Sequence, residues 1–322
     1  MKLGYWIIGL FVYLFICSIP AKAGSLSLSL DPSIIEIHAL APSTATSVIT
    51  IQNKSDTEVN LKIELRPFKA KFENGELEYL NSQDYLIFKN VQILDGGVPV
   101  EAITLGPAQQ KNLTLNINIP QDPASPPASP RGEQGGTNIS PADYYFSIIF
   151  VSQSTASPTS TSSSNQLGIA TNVLLSVGQK EMPDATIEEF SSGLFYESGP
   201  VPFTLRIKNK GIHFIKPKGE ILIKNMFGQS IGKLDLVSVN ILSDSIRGIP
   251  NTLWKENFLL GFYTATLNVS LSDEGPSFTK STHFFAFPFQ GLILIVIVLI
   301  STIIVVNRVR THMSRRDAFG KK

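Results

Sequence analysis

Cysteine is almost absent from this chain of 322 residues. The one cysteine, Cys17, lies in an apolar run at the N-terminus and is lost from the mature protein if that run is removed. A mature chain without a thiol has no disulfide bond, no cysteine metal ligand and no cysteine nucleophile. We therefore expect apolar burial alone to stabilise the folded part, and the chain is long enough for two or three domains.

Charged residues are also few, at 16% of the chain. Residues 24–288 hold 19 of the 27 basic and 25 of the 26 acidic residues, which gives this segment a net charge of −6. Nucleic acid is bound by a clustered basic face, and a mildly acidic segment argues against such a face. We predict that the chain has no nucleic-acid partner.

Sequence signatures of catalysis and metal binding are missing as well. The chain has no Gly-x-Ser-x-Gly elbow, no phosphate-binding glycine loop and no His-Glu-x-x-His helix. The acidic pair Asp273-Glu274 fits a solvated turn, although carboxylates paired only in space would leave no trace in the sequence. No two histidines stand at metal-ligand spacing; the four are His38, His213, His283 and His312. We predict that the protein is not an enzyme and has no cofactor, no catalytic residue and no metal site, and the sequence does not locate its binding residues.

Residues 1–23 have the pattern of a secretory signal peptide. Lys2 is followed by an apolar run, and the small residues Ala21 and Ala23 occupy the −3 and −1 positions of a cleavage site. Two alternatives stay open. One is a lipoprotein signal at Cys17, where the bulky Ile16 is unfavourable, and the other is an uncleaved N-terminal anchor.

Residues 289–307 predict a transmembrane helix. They contain no charged residue and approach the length of about 20 residues that a bilayer crossing needs. Residues 308–322 then form a basic tail, and basic residues stay on the cytoplasmic side of a membrane. We expect a single-pass protein of the cell membrane that contacts the lipid bilayer through this helix. Its N-terminal domains are extracytoplasmic and its C-terminus is cytoplasmic, the orientation that a signal peptide also requires.

Between the two ends, apolar residues recur at every second position, which is the period of half-buried strands. Examples are the runs at 59–65, 113–119 and 263–271, and glycine, proline, asparagine and aspartate separate such runs. Many short strands at this spacing predict an all-β chain of immunoglobulin-like β-sandwiches.

A boundary near residues 178–183 divides the predicted strands into two sandwiches in tandem, at 24–180 and 184–287. Both halves contain an alternating strand that ends in Asn-Lys and a small residue, at 49–55 and at 205–211. This similarity indicates either two related folds or convergence on a common strand and turn.

Two polar insertions, 121–141 and 154–165, are rich in proline, serine and glycine or threonine, and we predict surface loops there. We expect partner binding in the first domain, through these loops or a nearby edge strand, although tolerated surface insertions are the favoured explanation of the loops themselves. Four asparagines stand in N-glycosylation patterns: Asn53, Asn112, Asn138 and Asn268.

Several segments resemble a known family. They are Leu30-Asp31-Pro32 leading into 47–55, the run at 103–107, Asp143-Tyr144-Tyr145-Phe146 and Gly261-Phe262-Tyr263. With a signal peptide, two Ig-like domains, one anchor and a basic tail, the chain resembles bacterial cell-surface proteins that interact with WxL-domain proteins. More loosely it is similar to two-domain pilus chaperones.

The resemblance implies a membrane-anchored extracytoplasmic binding or scaffold protein of a prokaryotic cell envelope, which presents Ig-like domains to envelope or surface proteins or to cell-wall polymer. Two alternatives remain. An uncovered apolar edge strand would favour an envelope assembly chaperone, and clustered ionisable groups in a pocket would favour an accessory subunit of a membrane enzyme or transporter.

Overall fold

The computed structural model describes residues 26–81, 86–120, 142–153, 167–179, 181–271 and 275–319. The predicted signal peptide, both polar insertions and Asp273-Glu274 lie outside the described residues. The strands, one 3-10 helix and one α-helix have these bounds: β1 Leu28–Asp31, β2 Ile34–Ala39, β3 Ser43–Asn53, β4 Val59–Ala70, β5 Leu77–Tyr79, the 3-10 helix Leu86–Asn90, β6 Val91–Asp95, β7 Val98–Pro99, β8 Ala102–Leu105, β9 Gln110–Ile119, β10 Ala142–Ser152, β11 Gly168–Val177, β12 Ala185–Ser192, β13 Phe195–Tyr196, β14 Val201–Asn209, β15 Lys218–Asn225, β16 Ser230–Asp235, β17 Ile246–Gly248, β18 Leu253–Trp254, β19 Gly261–Ser270, β20 Ser277–Ala286 and α1 Phe289–Phe319.

The chain divides into two compact units. The first comprises Met1–Pro67, Asn81–Ser140 and Tyr144–Leu175. Its two sheets have the strand orders β1-β3-β9-β6-β7 and β2-β11-β10-β4, with β8 beside β4. The alternating residues of these strands face inwards and form its core, which includes Ile49, Ile51, Leu61, Leu113, Leu115, Ile117, Phe146 and Phe150. The half-buried strands predicted from the period of two are confirmed.

The second unit comprises Phe68–Leu80, Pro141–Asp143 and Ser176–Lys322. Its sheets have the orders β12-β14-β17, with β18 on β14, and β13-β20-β19-β15-β16. The short strand β13 runs parallel to β20, whereas the other strand pairs described in these two sheets are antiparallel. The predicted fold class is confirmed: an all-β chain of two Ig-like sandwiches is followed by one apolar C-terminal helix.

A buried asparagine closes the same turn in each unit. In the first unit the Nδ2 group of Asn53, which is fully buried, donates to the carbonyls of Thr57 at 2.7 Å, Leu105 at 3.2 Å and Gly106 at 2.9 Å. Its Oδ1 atom accepts the backbone N–H of Ser55 at 3.0 Å.

Asn209 of the second unit makes the same set of bonds at the end of β14. Its Nδ2 group donates to the carbonyls of His213 at 2.8 Å, Ile241 at 3.1 Å and Leu242 at 3.0 Å, and its Oδ1 atom accepts the N–H of Gly211 at 2.9 Å. The offsets of two and four residues match those of the first unit. The Asn-Lys similarity between the halves of the sequence therefore has one physical cause, a buried amide whose two N–H groups are shared among three carbonyls.

The C-terminal helix α1 is longer than the predicted span, because it continues through the basic segment to Phe319. No glycine or proline interrupts the sequence between Gly291 and Gly320, and arginine is a good helix former. Its part Phe289–Arg308 is long and apolar enough to cross a membrane, with mean hydropathy 2.9 and no burial against the rest of the protein. The hydroxyls of Ser301 and Thr302 donate to carbonyls four residues earlier, both at 2.7 Å, so they add no unpaired polar group to this surface.

Candidate functional site: an open strand edge

A serine, a histidine and an aspartate meet in the second unit without forming a catalytic triad. The Oγ atom of Ser176 lies 2.8 Å from Nδ1 of His213, and Oδ1 of Asp143 lies 2.7 Å from the same nitrogen. In catalytic triads the serine and the carboxylate bond to opposite ring nitrogens, so that the ring passes a proton between them. Asp143 also accepts the backbone N–H of Phe214, and its side chain is fully buried. This cluster joins three segments of the unit, and its geometry does not activate the serine.

The described part of the chain contains no group of three or more histidine, cysteine, aspartate or glutamate residues that could hold a metal ion. His38 is exposed on β2, and His283 on β20 contacts the hydroxyl of Thr264 at 3.0 Å. The backbone of His312 lies in α1, and its side chain is outside the description. None of the three histidines whose side chains are described therefore belongs to a group that could hold a metal ion.

The most distinctive surface of the first unit is one edge of β11. This strand has ten residues and lies between β10 and β2, but β2 has only six. The segment that leads into β2 contacts β11 where the hydroxyl of Thr171 donates to the carbonyl of Pro32 at 2.7 Å and the N–H of Asn172 donates to the carbonyl of Ser33 at 3.0 Å. Residues 173–177 are all buried, whereas Gly168 is exposed and Ile169 and Ala170 are partly exposed. We conclude that β2 covers the second half of β11 and leaves the first half without a strand neighbour among the described residues.

The backbone bonds show which groups this open edge presents. The N–H of Ser152 in β10 donates to the carbonyl of Leu167 at 2.8 Å, whereas the N–H of Asn172 points away from β10 to Ser33. Backbone groups of successive residues in a strand face opposite neighbours. The N–H and C=O groups of Gly168 and Ala170 therefore point outwards from the sheet.

The side chains of this edge are apolar and uncharged. Leu167 is 50% exposed and Ile169 is partly exposed, and no charged residue occurs from 167 to 177. We call residues 167–170 the open edge. Exposed, uncharged edge strands are prone to pair with another chain unless they are protected.

Other edges of the described sheets carry features that protect them. On β20, beyond the two residues paired with β13, Lys280 is exposed. On β16, Lys233 pairs with Glu220 at 2.8 Å. Strand β7 ends in Pro99. Strand β3 is covered by β1 over 50–53 alone, and its uncovered part is mainly serine and threonine.

Sequence reasoning placed binding in the first domain but did not identify this strand. The predicted loop at 154–165 leads directly into the open edge, although the loop itself lies outside the description. The available signal was the uncharged run from 167 to 177. What the sequence did not show was that β2 is too short to cover that run.

No protein-family model and no curated protein sequence matches the chain. Among solved structures it is similar to the class 5 fimbriae chaperone CfaA, at 12% identity and a TM-score of 0.39, covering 80% of this chain and 99% of that one. It is also similar to the E. coli chaperone DraB, at 12% identity and a TM-score of 0.38, covering 81% and 98%. A chain from the complex of the Salmonella enterica SafA pilin with the SafB chaperone matches at 10% identity and a TM-score of 0.37, covering 81% and 99%.

Pilus chaperones are thus among the proteins to which this chain is similar, and the resemblance to WxL-interacting proteins stays a prediction. At these identities and scores the similarity does not decide what this chain binds, so its partner has to be inferred from the open edge of its own first sandwich.

Proposed function

We propose that the chain is a membrane-anchored, extracytoplasmic protein of a prokaryotic cell envelope that binds protein partners through the open edge. A segment of the partner adds to β11 as a further strand, so the protein acts as an assembly chaperone. The observation that carries the proposal is the outward-facing, uncharged first half of β11. It favours the chaperone role over the scaffold role that the sequence had suggested first.

In this proposal the membrane anchor of the protein is the helix α1. From Phe289 to Arg308 the helix is predominantly apolar and is not buried by the rest of the described structure, and an exposed apolar surface of this length favours an apolar surrounding. The basic residues that follow support the orientation in which both sandwiches lie outside the cytoplasm.

Strand addition at the open edge supplies moderate binding energy. Two residues with outward backbone groups offer up to four hydrogen bonds, each worth about 1 kcal/mol net. Covering the exposed parts of Leu167 and Ile169 adds about 2 kcal/mol. The cost of association is of similar size, so we expect a partner to make further contacts beyond this edge.

The test uses a photoreactive amino acid in place of Leu167 in the full-length protein, in membranes of its own source. A second change, Ala170→Pro, removes one outward N–H while leaving the bonds to β10 in place, because proline is tolerated where a strand edge faces solvent. The matched control, Ala170→Val, keeps the N–H. We expect crosslinked partners with Ala170→Val and their loss with Ala170→Pro, at an unchanged melting temperature. Equal crosslinking by both variants would refute strand addition.

A further inference from the structure

An exposed apolar surface surrounds the point where the second unit continues into α1. It is formed by four separate segments of the chain and contains Leu194, Phe195, Met226, Phe227, Phe262 and Phe289, which we call the apolar collar. Leu194 is 84% and Phe227 is 79% exposed. Exposed apolar patches of this kind on a folded domain mark contact with another protein or with a membrane.

Strand register brings these segments together. Phe285 of β20 lies opposite Phe195 on one side and opposite Phe262 on the other, with ring centroids 6.1 Å and 4.7 Å away. The turn after β15 joins them, since the Met226 sulfur lies 3.4 Å from the position of a Cβ atom on Gly261. The collar is therefore continuous across the end of one sheet.

The collar is also continuous with the first residue of the helix. The ring centroid of Phe289 lies 5.6 Å from that of Phe195 and 5.0 Å from that of Phe287. Phe289 begins the apolar span, so in a membrane it lies at the hydrocarbon boundary. Side chains in contact with it lie at the same depth, and the interfacial layer on each side of a bilayer is about 6 Å thick.

We propose that the apolar collar inserts into the outer interfacial layer of the bilayer that α1 crosses. The second unit then rests on the membrane instead of standing away from it on a flexible stalk. Phenylalanine and leucine are the residue types that interfacial protein surfaces bury at the boundary between headgroups and acyl chains. This inference rests on the membrane anchoring in the proposed function, and it adds a second lipid contact made by the folded domain itself.

The test places a single cysteine, labelled with an environment-sensitive fluorophore, in the full-length chain with Cys17→Ser. The protein is reconstituted in nanodiscs of phosphatidylcholine and phosphatidylglycerol, in parallel samples that carry the nitroxide either near the lipid headgroup or in the middle of the acyl chain. Three variants are compared: Phe227→Cys in the collar, Val298→Cys in the helix, and Val237→Cys. Val237 is an exposed apolar residue just beyond Leu236, which bonds to Gly219 at the far end of β15.

We expect the headgroup nitroxide to quench the label at 227, the mid-chain nitroxide to quench the label at 298, and both to leave the label at 237 unchanged. Quenching at 298 without quenching at 227 would overturn the collar proposal and leave the anchor intact. Absence of quenching at 298 would instead overturn the anchor. Crosslinking of 227 to 227 between two copies, without quenching, would identify the collar as a dimer interface and also contradict the proposal.

Discussion

Replacing Asn209 by alanine should destabilise the second unit strongly. The substitution leaves three carbonyls and one N–H without the bonds they make to the side chain, at a site where Asn209 is fully buried. Each such bond contributes about 1 kcal/mol net, and a buried group left unpaired costs somewhat more. We expect a loss of about 4 kcal/mol in the free energy of unfolding, a large part of the 5–15 kcal/mol, roughly, that stabilises a domain.

The assay is urea unfolding followed by the fluorescence of Trp254, which is buried in the second unit. The other tryptophan, Trp6, is replaced by phenylalanine so that the signal reports on one unit. With a denaturant slope of about 2 kcal/mol per molar, the midpoint should fall by about 2 M. Asn209→Asp, which keeps the shape but places oxygen against the carbonyls, should cost at least as much.

The matched control is Asn268→Ala in the same unit, because Asn268 is partly exposed and accepts a single bond, from Thr279 at 3.1 Å. We expect a midpoint change several times smaller than that of Asn209→Ala. Equal changes in the two variants would show that the buried amide has no special role, and the reasoning would be refuted.

Two further predictions concern pH and topology. Hydrogen bonds from Ser191 and then Arg206 lower the pKa of Glu189 in the folded protein below its usual 4.5. The ionised Glu189 carboxylate therefore stabilises the fold above about pH 4.5, and this stabilisation is lost as the pH falls through the lowered pKa of the folded state. Arg206→Gln should therefore flatten the loss of stability below about pH 4.5 in an acid titration of Trp254 fluorescence, and an unchanged titration would count against this. Protease added to spheroplasts should digest 24–288 and leave a small membrane-bound C-terminal fragment, whereas full protection of the sandwiches would contradict the orientation.

The strands were predictable because their side chains alternate between core and solvent. The run at 113–119 lies in β9 and the run at 263–271 covers most of β19, since one buried face forces a period of two. Both Asn-Lys turns were visible too, although the sequence did not show that their asparagines are buried. In the folded chain full burial of Asn53 leaves no room for a glycan at this glycosylation pattern.

Other features depend on contacts between distant segments and left no local signal. The cluster of Ser176, His213 and Asp143 joins residues up to 70 positions apart. The segment Phe68–Leu80 belongs to the second unit although strand β4 begins in the first, because its contacts lie with residues such as Arg206, which pairs with Glu73. The open edge likewise depends on the lengths of two strands that are neighbours only in the folded sheet.

Hydrogen exchange of the backbone amides in β11 tests the central claim most directly. The full-length protein is compared in nanodiscs, alone and in complex with a partner isolated by crosslinking at Leu167. Strand addition gives the outward N–H groups of Gly168 and Ala170 new acceptors, so their exchange should slow, while Asn172, already bonded to Ser33, should change little. Unchanged exchange at 168 and 170 in the complex would show that the partner binds elsewhere and would contradict the account.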